Sequence, residues 1–182
     1  MATTRPLDAR SVDPQAFCRN GATLQGQQPL GAMPRLAAGL AAEPAPEESA
    51  AWQAQGRLQP VSGGQAQAWL HLQARAEVGL QCQRCLQPLR EALQVDRQFR
   101  FVRDEDEAAR LDEESEEDVL ALPPRIDLLE LLEDELILSL PIVPRHDVCP
   151  NPLPLAQEAD DEEAPHPFAA LAALRTEPGG KH

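Results

Sequence analysis

"QAQAWLHLQARAEVGLQC", Gln65 to Cys82, is the stretch whose reading decides the fold. Its even positions are Ala66, Ala68, Leu70, Leu72, Ala74, Ala76, Val78, Leu80 and Cys82. Its odd positions include Trp69, His71, Gln73, Arg75, Glu77 and Gln81. Strand side chains alternate between two faces, so this period means one long strand with an apolar face, or two strands joined by a bulge near Gly79. The same alternation puts Trp69 and His71 on the polar face. Upstream, "WQAQGRLQPV" from Trp52 runs into "SGG", a turn signal. Downstream, "RCLQPL" turns the chain, because Pro88 has no N–H to give a central ladder. "EALQVDRQFRFV" then alternates again through Leu93, Val95, Phe99 and Phe101. The expectation is an antiparallel meander with Cys82 and Cys85 at a turn between strands.

Beyond the meander, "IDLLELLEDELILSLPIVP" carries a helix signal. Asp127 can cap the N-terminus, with Glu130 three residues on. Leu128, Leu131, Leu132 and Leu136 trace one side, and Pro141 ends the run. Glu130, Glu133, Asp134 and Glu135 read as the cap and polar face of this helix. The fold class is therefore α+β: a mostly antiparallel sheet covered by a helix from Asp127 to Leu140. Four regions follow. Residues 1–40 form a mixed, extended segment, and 41–50, "AAEPAPEESA", read as a linker. Residues 51–149 form the core domain, with "RDEDEAARLDEESEED" at 103–118 as a flexible acidic loop. Residues 150–182 form an acidic tail, where Phe168, Leu171 and Leu174 mark a short amphipathic helix.

The chain has 182 residues, enough for one ordinary domain with tails. Aromatic residues make up 3%, with no tyrosine, so the core must be built from aliphatic side chains. The net charge of −14 is unevenly placed: residues 1–100 carry +2 and residues 101–182 carry −16. So acidic a surface repels phosphate at long range and disfavours nucleic-acid binding by the molecule as a whole. Arg84, Arg90, Arg97 and Arg100 are the local exception and the candidate RNA contacts. The opening "MATTRPLDARSVDPQ" has no apolar run, and no stretch approaches a membrane span. A cytoplasmic protein is expected, with no membrane and no small-molecule partner, and its thiols reduced.

Reduced thiols at C-x-x-C spacing have three readings. Two thiolates can approach one metal ion from a tight turn. "PRHDVCP" supplies a second pair, His146 and Cys149, and the intervening helix could return it to the strand turn. Cys82, Cys85, His146 and Cys149 would then make a Cys3His set, for which Zn2+ is the candidate ion. Alternatively Cys82 is simply buried and Cys85 sits in a turn. A thioredoxin-type redox pair wants a helix N-terminus after the motif, and Pro88 argues against one. No phosphate loop, nucleophile elbow or metalloprotease motif is present.

Taken in order, "GQQPLGAMPRL", "CQRCLQPL", "FRFV" with its acidic sequel, "IDLLELLEDELILSLPIVPRHDVC" and "PHPFAALAAL" resemble the YceD family of large ribosomal RNA subunit accumulation proteins. The matching positions are Cys82, Arg84, Cys85 and Pro88. Further on they are Asp127, Leu128, Glu133, Asp134, Leu138, Leu140, Pro141, Pro144 and His146. The resemblance implies a factor, not an enzyme, that supports synthesis, processing or stability of 23S (large-subunit) ribosomal RNA. Its expected partners are a ribosomal protein, an rRNA-processing factor or a pre-ribosomal particle. Asp104, Glu105, Asp106, Glu107, Glu113 and Glu114 could imitate RNA phosphate toward a basic partner. The alternatives are a zinc-stapled adaptor without a ribosomal role and a thiol redox protein.

Overall fold

A computed structural model describes residues 7–61, 66–112, 115 and 117–151. In chain order the elements are α1 (Pro14–Arg19), β1 (Thr23–Pro29), a 3-10 turn (Leu30–Ala32), α2 (Pro34–Ala38), β2 (Ser49–Gln59), β3 (Gln67–Gln81), β4 (Pro88–Val102), α3 (Glu105–Asp112), β5 (Asp118–Ala121) and α4 (Leu128–Leu138). The strands form one sheet in the order β1-β2-β3-β4-β5. All neighbours are antiparallel except β5, which runs parallel to β4 after the crossover through α3. The period-two run is one unbroken strand, with no bulge at Gly79. Leu70 faces Phe99, Ala74 faces Val95 and Leu80 faces Leu89 across the hairpin, so each pair sits on the same face.

That face is the core. Leu72 and Val78 are wholly buried, and so are Leu128, Leu132 and Leu136 of α4, which lies across it. Asp127 caps α4 by accepting from the N–H groups of Leu129 and Glu130, and Ser139 closes its other end. α1 packs on β2 at Gly56, where a Cβ would lie 2.6 Å from the Phe17 ring. Only glycine lets the helix sit this close. The helices therefore share one face of the sheet, apart from α3, which packs Ala108 and Leu111 against Val102 and Val119.

Several expectations change. The segment from 103 to 118 is not simply a loop, since α3 lies inside it. Asp104 accepts from the Glu107 N–H at its start, and Ala108 with Leu111 supplies the apolar stripe that the acid-rich composition hid. Residues 8–40 are not merely extended: they supply an edge strand, two helices and the buried Phe17, Leu30, Met33 and Leu36. The linker-like segment already enters β2 at Ser49, and Glu48 is fixed by the Ala45 N–H and by Arg90. Glu133 and Glu135 are buried rather than on a solvated helix face. Glu133 accepts from the N–H groups of Arg35 at 2.7 Å and Leu36 at 3.1 Å, so a carboxylate on α4 caps α2. Arg35 also pairs with Asp134. Trp69 is buried despite its polar-face position, under the Arg57 guanidinium 5.5 Å from the ring centroid. The "SGG" turn, Glu113, Glu114 and the segment with Phe168, Leu171 and Leu174 lie outside the described residues.

Candidate metal centre

The two central strands outrun β2. Its register ends at Ala51 opposite Arg75, whereas β3 and β4 stay paired as far as Gln81 and Pro88. Their tip, Cys82 to Gln87, is the knuckle that holds the C-x-x-C. The Cys82 N–H bonds the Gln87 carbonyl and the Leu86 N–H bonds the Cys82 carbonyl, which closes a tight turn. Leu86 has φ 59, left-handed backbone that costs a leucine about 1–2 kcal/mol. Such a residue persists only where its surroundings over-determine it. After α4 the chain returns to this tip, and the Gln83 N–H bonds the Pro144 carbonyl at 2.8 Å. That contact delivers His146 and Cys149 to the knuckle.

The structure brings together all four residues that the spacing nominated. The thiol sulfurs of Cys82, Cys85 and Cys149 and a ring nitrogen of His146 all lie within 4.8 Å of one another. Cys82 Sγ and Cys149 Sγ are 3.8 Å apart, and Cys85 Sγ is 3.4 Å from His146 Nδ1. A zinc tetrahedron with bonds of about 2.3 Å to sulfur has sulfur–sulfur edges of about 3.8 Å. The donor set thus fits such an ion in size and in chemistry. The thiols are buried and the imidazole is half-buried, which suits a closed structural site.

The surroundings fit too. His146 Nε2 lies 3.1 Å from the Pro88 carbonyl, so it carries the proton and leaves Nδ1 free to bind. Arg84, between the two cysteines, donates from Nε to Cys149 Sγ at 3.0 Å and from its terminal nitrogen to the His146 carbonyl at 2.8 Å. Burial opposes ionisation of Cys82, yet backbone hydrogen bonds from His146, Cys85 and Arg84 outweigh it and bring the thiol down to about 5. Burial pushes the Cys85 thiol up. Cys18 stands apart, with its thiol bonded to the Trp69 carbonyl.

The other nominated residues do not converge. Arg97 lies on the helix-covered face and pairs with Asp118 and Glu135. Arg90 pairs with Glu48 and Glu77, and Arg84 belongs to the knuckle. Arg100 lies on the opposite sheet face and bonds the Ser115 hydroxyl. Of the acids, Asp104 and Glu107 are engaged at the start of α3 with each other and with Arg103, while Glu105 and Asp106 are exposed. Spacing places Arg84 beside the two thiols of its own turn but gives no sign of its bonds to Cys149 and the His146 carbonyl, nor of the His71–Asp96 contact of 2.6 Å. The hairpin register carries a signal for the second: Gln73 faces Asp96 and His71 is its diagonal neighbour.

Comparison with known proteins covers this region. The family model described as large ribosomal RNA subunit accumulation protein YceD matches residues 70–175. The large ribosomal RNA subunit accumulation protein YceD of Haemophilus influenzae is 33% identical over 105 residues, which is 54% of this chain and 60% of that relative. The chain thus spans less than two thirds of the length of the curated relative it matches. No solved structure matches the chain. Among the described residues, no helix is long and apolar enough to cross a membrane.

Proposed function

The chain belongs to the YceD family, and from that premise we propose that it is a non-enzymatic factor supporting the synthesis, processing or stability of 23S ribosomal RNA. The observation that carries the reading is the family match itself, which runs from β3 through both halves of the Cys3His cluster. The test is depletion of the protein in its host, with the ratio of 23S to 16S RNA as readout. The ratio should fall and the intact gene should restore it. An unchanged ratio would sink the reading.

The role of the cluster in this reading is structural. Zn2+ would be held by Cys82, Cys85, His146 and Cys149, and would tie the β3–β4 tip to the chain that follows α4. The ion supplies a cross-link; Arg84 orients the Cys149 thiolate and the Pro88 carbonyl orients the imidazole. β4 rather than a helix follows the knuckle, so the thiols lack the helix N-terminus that thioredoxin chemistry uses. Elemental analysis of untagged protein should find one zinc per chain, lost in Cys85→Ser.

Association is proposed with a pre-ribosomal particle, through a basic ribosomal protein or processing factor. Among the described residues, Glu105 and Asp106 on α3 are the exposed carboxylates offered for that contact. Glu105→Gln with Asp106→Asn should weaken co-sedimentation with large-subunit precursors and flatten its salt dependence.

A further inference from the structure

Among the described residues, nothing covers most of the sheet face opposite α4, and its chemistry differs from that of the rest of the described molecule. A groove of about 600 Å³ runs across β1, β2, β3 and β4, floored by their backbone. The strand register makes its walls two rows of side chains. Gln25, Gln53 and Gln73 stand side by side in one row, and Gln27, Arg75 and Gln94 flank the other. Among the described residues, Asp96 is the one carboxylate lining the groove, and it is taken up by His71 and Gln73.

A third row on the same face is Arg57, Trp69 and Arg100, directly opposite one another across β2, β3 and β4. All three side chains are donors and none is an acceptor. Trp69 Nε1 and Arg100 Nε are buried and have no hydrogen-bond partner among the described residues. Among the described residues, Arg57, Arg75 and Arg100 form no ion pair with a carboxylate, whereas Arg35, Arg90, Arg97 and Arg103 all do.

We infer that this face binds single-stranded RNA, with phosphates on Arg57, Arg75 and Arg100 and exposed base edges on the glutamine rows. A glutamine amide both donates and accepts, and can pair with a base edge through two hydrogen bonds. Unstacked single strands offer such edges, whereas an RNA duplex spends its Watson–Crick edges on pairing and closes its narrow major groove to side chains. Acids farther than about 10 Å are screened at ordinary salt, and of the nearer ones Asp96 and Glu77 are engaged by His71, Gln73 and Arg90. The acidic helix α3, seated on Val102, bounds the face at one end. The choice of RNA over another polyanion rests on the ribosomal reading above.

The test is fluorescence anisotropy with the full chain and a mixed-sequence single-stranded RNA of about twelve nucleotides. Three phosphate contacts give a slope of log affinity against log salt of about −2. Arg75→Gln, an exposed substitution, should reduce that slope by about 0.7. Gln53→Ala with Gln73→Ala should weaken binding about tenfold at an unchanged slope. Absence of binding at low salt overturns the inference. So does binding indifferent to these variants, equal binding of duplex RNA, or tighter binding of polyglutamate. The two readings fail separately. Depletion that lowers 23S RNA, with no RNA binding in vitro, removes this surface alone. Binding with the expected slope, without any change in 23S RNA on depletion, removes the ribosomal role alone.

Discussion

At Cys149 the sulfur has two neighbours of different kinds, a thiol at 3.8 Å and a guanidinium nitrogen at 3.0 Å. The first would share a metal with it; the second holds it in place. Arg84→Ala should therefore weaken zinc affinity about tenfold or more without removing a ligand, as read by competition with a chromophoric chelator. Arg84→Lys should not restore it, since an ammonium cannot bond the sulfur and the His146 carbonyl with one planar fork. Glu133 is the other residue whose loss is specific. Glu133→Ala strips the cap from α2 and leaves Arg35 without its buried partner, and should cost about 2 kcal/mol in urea unfolding. That Cys82, Cys85, His146 and Cys149 could form one cluster was legible from spacing alone, because two short pairs each fit one tight turn. The work of Arg84 and Glu133 was not, because each acts on a segment more than sixty positions away that only the folded chain brings near.

Elements show the same division. The long hairpin and α4 were legible because each repeats one period over many residues. α3 and the short N-terminal helices were not. Each carries too few apolar residues for a period to emerge, and each is held by tertiary contacts rather than by propensity. The junction of α1 with β2 is the tightest of these contacts. Gly56→Ala should push α1 off the sheet and destabilise the fold by about 1–3 kcal/mol. Near the start of β2, the bond from Arg90, helped by the Ala45 N–H, holds the Glu48 carboxyl below its ordinary value. A depressed carboxyl contributes stability above its unfolded pKa and loses it as pH falls through the folded one. The stability gap between the wild type and Glu48→Gln should therefore be widest near neutral pH. It should close below about pH 4, as urea midpoints across a pH series would show.

At the scale of the described molecule, charge and a bound metal would be separate supports. The core between sheet and α4 is aliphatic, with Leu72, Val78, Leu128, Leu132 and Leu136 wholly buried in it. Chelation should lower the melting temperature while far-UV circular dichroism keeps its strand signal. At free zinc 100-fold above its Kd the ion would contribute about 2.7 kcal/mol, and Cys85→Ser should be blind to it. The uneven charge was legible from composition. That Arg57, Arg75 and Arg100 share one sheet face was not, because it depends on strand register.

Cys85 and His146 are 61 positions apart, and everything from β4 to α4 lies between them. With the ion in place, that stretch is a ring. A protease site inserted between α3 and β5 would open it without freeing either end: one piece would end in α3, the other would begin at β5, and both would still grip the same ion. The cut protein should migrate as one species on a sizing column. On chelation the two pieces would be left with strand pairing and side-chain packing alone, so metal supply would set how long a severed copy stays whole.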